Sequence, residues 1–269
     1  MLGGMTDVDF ATMMALEPHG PDTFVGIGPR YPWGGLYGGQ IVAQALRAAS
    51  LTVDDGFHVH SLHAYFIRRG DHEEPIRFEV DRVRNGRSFC TRNVIARQAT
   101  GAILSMSASF QVDEPGPNAQ SAVMPHVAPP AELVTAGWSG MFERGLAPGV
   151  PGSGRVTGWL RMREAIGDDP LLQACALAYL SDDLPTDAVV LLHPDNPKQG
   201  DWESGQMYSA SLDHAIWFHR PVRAEQWHLQ DLTCQEILSS RGLTIGQVFT
   251  EDGTHVATIA QEVLLRFKA

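Results

Sequence analysis

The chain has 269 residues, of which 43% are hydrophobic and 19% are charged, and this length suits one large or two ordinary globular domains. The net charge of −11 argues against non-specific binding to nucleic acid or to an anionic membrane, because both require a basic surface. The three cysteines are widely spaced, which argues against a disulfide framework and against a cysteine metal site.

The N-terminal residues are unlike a signal peptide, because Asp7 and Asp9 stand where a basic region would be needed. No apolar run approaches the roughly 18 residues that a membrane-spanning helix needs. We therefore expect a cytoplasmic protein that neither inserts into a membrane nor binds nucleic acid.

The first part of the chain predicts two helices and then four strands. Residues 6–16 predict a short amphipathic helix, with Thr6 and Asp9 at the spacing of a capping box. A second helix is predicted over 40–49, after Gly38-Gly39. Alternating or β-rich segments then predict strands over 59–67, 76–83, 91–98 and 102–112.

A proline-rich segment separates this part from a second, similar part. Residues 113–130 hold five prolines and no sustained periodicity, which is typical of a linker. The segment 171–179 is apolar nearly all round, which predicts a helix inside a core. Further strands are predicted near 206–219, 226–237, 242–250 and 255–267. We therefore expect an N-terminal domain over 1–112, a linker over 113–137 and a C-terminal domain over 138–269.

Two short sequence features recur at the same offset along the chain, which indicates an internal repeat. Phe66-Ile67-Arg68 returns as Phe218-His219-Arg220, 152 residues later, and Gly101 returns as Gly253 at the same offset. A helix followed by antiparallel strands, twice, is an α+β plan in which each sheet wraps a helix. The offset pairs Ser109 of the first copy with Gln261 of the second, so the copies differ in chemistry and only the second is expected to hold a working site.

Two polar residues of the second copy fall on apolar faces. Asp182 continues an apolar stripe of the predicted helix, although a solvated aspartate at a helix end, or exposure of Asp183 instead, fits the pattern as well. Gln261 shares a strand face with apolar neighbours. A buried amide without partners costs roughly 2 kcal/mol or more, so Gln261 should have either a functional partner or a backbone partner.

Five segments lie in order along nearly the whole chain: Gly38-Gly39-Gln40, His60 to Phe66, Ala178 to Asp182, Ser211 to His219 and Ala260 to Glu262. Together they resemble the TesB-type acyl-CoA thioesterase II family, which has a double hotdog fold. The segment Leu212 to Pro221 (LDHAIWFHRP) is the most specific of them. By position, the resemblance places the family's catalytic aspartate at Asp182, its hydroxyl residue at Ser211 and its glutamine at Gln261.

The resemblance implies hydrolysis of acyl-CoA to free fatty acid and coenzyme A, a step of fatty acid metabolism. Asp182 would take a proton from water, Ser211 would complete the network, and Gln261 would hold the water through its carbonyl and NH2 groups. Backbone N–H groups at a helix start would stabilise the oxyanion. No cofactor is expected, since coenzyme A is part of the substrate, and we expect a homodimer or a higher homo-oligomer.

The remaining candidate motifs give weaker evidence of a functional site. His58, His60 and His63 do not share one strand face and have no completing carboxylate, so we expect no metal site. Adjacent strand residues point to opposite faces, so the Asp213-His214 pair is interpreted as structural. Which arginines contact the phosphates of coenzyme A stays open, and the six candidates are mostly expected on solvated faces. They are Arg68, Arg69, Arg87, Arg92, Arg220 and Arg241.

Two alternative functions share the predicted fold. An acyl-CoA hydratase would need a catalytic Asp/His pair in the helix region, which the sequence lacks. A non-catalytic acyl-CoA-binding hotdog protein would not need the three retained residue types. Turnover of a thioester by the purified chain separates the catalyst from the binder.

Overall fold

The computed structural model describes residues 8–133, 137–195 and 207–267. The first half contributes two helices and six strands to these ranges. The helices are α1 (Phe10–Met14) and α2 (Gly38–Ser50). The strands are β1 (Glu17–Pro18), β2 (Thr23–Gly26), β3 (Phe57–Phe66), β4 (Ile76–Asn85), β5 (Phe89–Gln98) and β6 (Gly101–Val112).

The second half contributes two further helices and seven strands. The helices are α3 (Pro170–Ser181) and α4 (Pro185–Leu192), and a short 3₁₀ helix (Pro130–Glu132) precedes them. The strands are β7 (Phe142–Leu146), β8 (Arg155–Met162), β9 (Met207–Ser211), β10 (Asp213–Phe218), β11 (His228–Leu238), β12 (Arg241–Thr250) and β13 (His255–Phe267).

All strands belong to one antiparallel sheet in which the two halves have the same topology. The first half has the order β2-β4-β5-β6-β3, and the second has β8-β11-β12-β13-β10. The halves join edge to edge where β3 pairs with β10, with His63 opposite Ala215. The predicted α+β class, with two similar units whose sheets lie side by side, is therefore confirmed.

The core contains a central pair of helices. Helix α2 packs on α3 and on the strands of its own half, while α4 covers β8, β11 and β12. Nearly every residue of α3 is buried, as its all-round apolar sequence predicts. None of the helices in the described ranges has the length and the apolar composition needed to cross a bilayer.

Several sequence predictions need correction. The first helix begins at Phe10 and is capped by Asp9, whose side chain accepts from the Thr12 N–H, while Thr6 lies outside the described residues. The strand predicted over 206–219 is two strands, β9 and β10, because the chain passes from one to the other at Leu212. Five elements of the structure, β1, β2, β7, β8 and α4, were not predicted from the sequence. The segment 113–129 contains neither helix nor strand, and the bounds given for the linker and the two domains stay predictions.

The prediction that Ser109 stands where Gln261 stands is wrong by one residue. Each half has a bulge, at Ile103 in β6 and at Val256 in β13, where the register shifts. Counted from these bulges, the counterpart of Gln261 is Ala108, which is buried like Gln261. Ser109 lies on the other face of the sheet and bonds to His60, at 2.8 Å between Oγ and Nε2.

Candidate active site

Asp182 lies directly after the last residue of α3. The helix begins at Pro170 with Asp169 as its N-cap, and the Asp169 side chain accepts from the Leu171 N–H at 2.9 Å. Pro170 favours a helix start because it lacks the N–H that would have no partner there. Ser181 is the last helical residue and Asp182 is the C-cap, so the carboxylate projects from the end of a buried helix and is only 7% exposed.

Three donors surround the Asp182 carboxylate. Ser211 Oγ and Gln261 Nε2 each donate to Oδ1 at 2.8 Å. The Gly39 N–H donates to Oδ2 at 2.9 Å. The carboxylate is therefore desolvated but satisfied on both oxygens, which is the condition under which a buried charge persists.

Ser211 and Gln261 reach Asp182 from neighbouring strands. Ser211 ends β9 and pairs with Val263 of β13, so it lies two positions from Gln261 along the sheet. Gln261 is fully buried on the inner face, as the alternation of β13 predicts, and its Nε2 also donates to Ser211 Oγ at 2.9 Å. The structure thus brings all three residues predicted for the site into direct hydrogen-bond contact.

The orientation of Gln261 differs from the sequence-based expectation. Its NH2 group faces Asp182 and Ser211, while its Oε1 contacts His214 Nδ1. An amide oxygen facing a carboxylate would be repelled, so this orientation is the favourable one. The carbonyl of Gln261 is therefore occupied by His214, and both hydrogens of its NH2 group already have acceptors in Asp182 Oδ1 and Ser211 Oγ.

Burial raises the pKa of the Asp182 carboxyl to about 6, against the opposing effect of its hydrogen bonds to Ser211, Gln261 and Gly39. A carboxylate with a pKa near 6 is ionised at neutral pH. It is also a stronger base than an ordinary aspartate, which suits it to accept a proton from water.

The first half of the chain also contributes to the site, which the sequence analysis placed in the second half alone. The N-terminal end of α2 points at Asp182, and its partial positive charge favours a carboxylate there. Gly38 and Gly39 permit this close approach: an ideal Cβ on Gly38 would lie 2.6 Å from Asp182 Oδ2. Tyr37, the N-cap of α2, donates from its hydroxyl to the Tyr179 carbonyl at 2.9 Å and so fixes the two helix ends together.

His214 is the second contributor that sequence reasoning missed. It is buried beside Gln261, and its Nε2 lies 2.7 Å from Ser181 Oγ. Alternation along the strand indicated that His214 and Asp213 face opposite sides, but it could not identify the residue that His214 contacts. Asp213 accepts from the Glu262 N–H at 2.7 Å and contacts none of the three site residues.

Asp183 is not the exposed residue that the sequence left open as an alternative. It is buried, accepts from Trp138 Nε1 at 2.7 Å and pairs with Arg144 at 3.1 Å. Both acceptor oxygens are therefore engaged in an ion pair and a hydrogen bond. Asp183 thus stabilises the fold around the site, whereas Asp182 faces Ser211 and Gln261.

Arg92 is not on a solvated face either. It is 2% exposed, and its guanidinium donates to Thr52 Oγ1 at 2.7 Å and to the Thr52 carbonyl at 2.9 Å. It is therefore removed from the candidates for contact with coenzyme A phosphates.

The three strand histidines contact different partners. His58 approaches Asp113 at 3.7 Å, His60 bonds to Ser109, and the ring of His63 packs edge-on against Trp217. No group of three or more metal-ligating side chains occurs within the described ranges.

Models of two adjoining domains match most of the chain. Residues 28–111 match the acyl-CoA thioesterase N-terminal domain, and residues 110–265 match the acyl-CoA thioesterase C-terminal domain. Acyl-coenzyme A thioesterase 8 of Homo sapiens is 34% identical over 99% of this chain and 91% of its own length. Acyl-CoA thioesterase 2 of Haemophilus influenzae is 34% identical over 86% of this chain and 88% of its own length.

A solved structure shows the same fold. The acyl-CoA thioesterase II TesB2 from Mycobacterium marinum superposes with a TM-score of 0.84 and is 36% identical. The match covers 97% of this chain and 98% of that one, so the likeness extends through both halves and the junction between them.

Proposed function

The chain belongs to the TesB-type acyl-CoA thioesterase family, and from this premise we propose that it hydrolyses acyl-CoA with a water activated by Asp182, Ser211 and Gln261. The products are a free fatty acid and coenzyme A. The observation that carries the proposal is the convergence of the Asp182, Ser211 and Gln261 side chains, each 2.8–2.9 Å from the other two.

In the proposed reaction, a water takes the place of Ser211 Oγ as one acceptor of the Gln261 NH2 group, and Asp182 removes a proton from that water. The resulting hydroxide attacks the thioester carbonyl carbon. As the tetrahedral intermediate collapses, the C–S bond breaks and the sulfur leaves with its electron pair. The proton held by Asp182 then passes to the sulfur, which regenerates the base and releases coenzyme A as a thiol.

The first turn of α2 would stabilise the oxyanion. The first N–H groups of a helix have no acceptor within the helix and carry its partial positive charge. The Gly39 N–H already donates to Asp182 Oδ2, so this helix end lies beside the base. A thioester carbonyl oxygen placed against the same turn would develop its negative charge where donors are already oriented.

Hydrolysis of a panel of acyl-CoA thioesters from acetyl to octadecanoyl tests the proposal, with release of free thiol as the signal. We expect turnover well above the spontaneous rate and its loss in Asp182→Asn. A chain that binds acyl-CoA without releasing thiol would be the non-catalytic binder. Equal rates in the wild type and in Asp182→Asn would refute the assigned mechanism.

The expected homo-oligomeric state and cytoplasmic location stay predictions. Light scattering of the purified chain measures the mass in solution directly, and a mass near the 29.4 kDa of one chain would contradict the oligomer.

A further inference from the structure

The fully buried face of β13 holds a second polar contact of Gln261, which the proposed reaction does not use directly. Gln261 Oε1 is bonded to His214 Nδ1, on the side of the amide away from Asp182. Both side chains are at most 1% exposed, so no bulk water competes for this bond. We propose that His214 is a positioning residue, whose Nδ1–H holds the Gln261 amide with its NH2 group towards Asp182 and Ser211.

The tautomer of His214 follows from its partners. Gln261 Oε1 can only accept, so the nitrogen facing it, Nδ1, must carry the proton. Burial lowers the pKa of His214 to about 4, so the ring is neutral near pH 7 and has one N–H. Nε2 is then an acceptor, and the Ser181 hydroxyl, 2.7 Å away, donates its one hydrogen to Nε2 rather than to the Ala178 carbonyl at 2.9 Å.

Without His214, only Asp182 and Ser211 would hold the Gln261 amide in this orientation. Rotation by 180° exchanges its oxygen and nitrogen with little change in shape, and the wrong orientation presents an oxygen to Asp182. A donor at Nδ1 stabilises the correct orientation and disfavours the other, because a neutral His214 of this tautomer has no acceptor at that position. The selection acts through Gln261 and requires no contact between His214 and substrate.

The first half of the chain lacks both members of this pair. His214 lies opposite Gln261 across β10 and β13, as follows from the pairing of Ala215 with Ala260. The matching pair in the first half is Leu62 opposite Ala108. The histidine and the glutamine are thus present together in the half with a site and absent together from the other.

A leucine substitution tests the role, because leucine is the residue that the chain carries at the matching position. This inference rests on the proposed function. His214→Leu removes the donor, and we expect kcat to fall roughly 10–100-fold with KM changed less than about threefold. His214→Asn retains an N–H near the Nδ1 position and should restore kcat to within about fivefold of wild type. Equal losses in the two variants, at equal melting temperature, would overturn the proposal.

A double-mutant cycle separates an effect through Gln261 from a general loss of packing. In a Gln261→Ala background there is no amide to orient, so His214→Leu should lower kcat by less than about threefold further. A loss as large as in the wild-type background would contradict the positioning role. Asp213→Asn is the matched control, on the same strand but facing away from the three site residues, and it should leave kcat within about threefold of wild type.

The ¹⁵N NMR spectrum of the imidazole nitrogens tests the predicted tautomer of His214 without any activity measurement. In ¹⁵N-histidine-labelled wild type, the ring signals that disappear in His214→Asn belong to His214. We expect the neutral Nδ1–H tautomer throughout roughly pH 5.5–8. An Nε2–H tautomer or a doubly protonated ring in that range would overturn the proposal. If the chain hydrolysed no thioester, the proposed function would fail while this spectrum still decided the contact.

Discussion

Two opposing influences act on the carboxylate of Asp182. Removal from water disfavours the ionised form, whereas donors from Ser211, Gln261 and Gly39 favour it. Burial is the larger effect, so the pKa rises to about 6. A base that is ionised at neutral pH, yet binds a proton more strongly than an ordinary aspartate, follows from burial with a full set of partners.

The first prediction is that Asp182→Asn lowers kcat by about 10²–10⁴-fold, because it retains the shape and removes the base. Thiol release from acyl-CoA measures it. Asp183→Asn is a poor control, since Asp183 is buried in an ion pair with Arg144 and its loss would affect folding. Asp213→Asn is the better comparison, and a similar loss in that variant would contradict the assignment.

The second prediction concerns pH. Only the ionised Asp182 can accept a proton, so kcat/KM should rise tenfold per pH unit below about pH 6 and become level above it, the raised pKa setting the midpoint. Values of kcat/KM measured from pH 4.5 to 8.5, with the protein folded throughout, test this profile. A midpoint near 4, the ordinary range of an aspartate, would show that burial does not control this carboxyl.

At the residue scale, the sequence predicted which residues form the site better than it predicted the contacts between them. Alternation places Gln261 on an inner face, and helical spacing places Asp182 at the end of a buried stripe. The contact of His214 with Gln261 depends on the register between β10 and β13, and a shift of one residue would turn His214 outward. Nothing local in the sequence specifies that register.

At the scale of elements, the beginning of α2 and the end of α3 define the site together. The sequence predicted both helices within one or two residues, but it could not predict that the end of one meets the beginning of the other. The elements that were not predicted are β1, β2, β7, β8 and α4, which are short or lack a sustained polar-apolar alternation. Their formation depends on packing against the rest of the single sheet and its helices.

The third prediction tests the approach of α2 to the base. An added Cβ at Gly38 would lie 2.6 Å from Asp182 Oδ2 and 3.0 Å from the Phe66 ring, so Gly38→Ala must displace the carboxylate. A displacement of about 1 Å can lower kcat about 10²-fold. Gly116→Ala is the control, since an added Cβ there meets nothing within 4 Å. Unchanged kcat in Gly38→Ala would contradict the close approach.

The fourth prediction concerns stability at α4. Burial and the neighbouring charge of Asp183 raise the pKa of Asp187 to about 7. Because the folded state binds this proton more tightly than the unfolded state, stability falls as pH rises from about 4 to about 7. Asp187→Asn removes the free-energy cost of ionising Asp187 in the folded state. The 23% exposure of the Asp187 side chain makes this cost smaller than full burial would. The melting temperature of Asp187→Asn relative to wild type should therefore increase by about 2–4 °C between pH 5 and pH 8. A constant difference would contradict the raised pKa.

At the scale of the whole molecule, the two halves share a topology and differ in chemistry. The offset of 152 residues predicted the repeat from two short identities. The match of Ser109 with Gln261 was wrong by one residue because the offset between β6 and β13 changes near the start of these strands. Only the bulges in the two strands reveal this change. Leu51 and Asp182 are the C-caps of α2 and α3, and the corrected register aligns Leu62 and Ala108 with His214 and Gln261. The first half therefore lacks the carboxylate, the positioning histidine and the amide together.

The last prediction is one working site per chain. A second site of comparable activity would leave about half of the wild-type rate in Asp182→Asn, whereas a single site leaves at most about 1%. Calorimetric titration of a non-hydrolysable thioether analogue of acyl-CoA should give one binding site per chain. Ser109→Ala should leave kcat within about twofold of wild type, because Ser109 bonds to His60 on the outer face of the sheet. Since α2 of the first half supplies the Gly39 N–H to Asp182, the half without a site is still required for the site in the other.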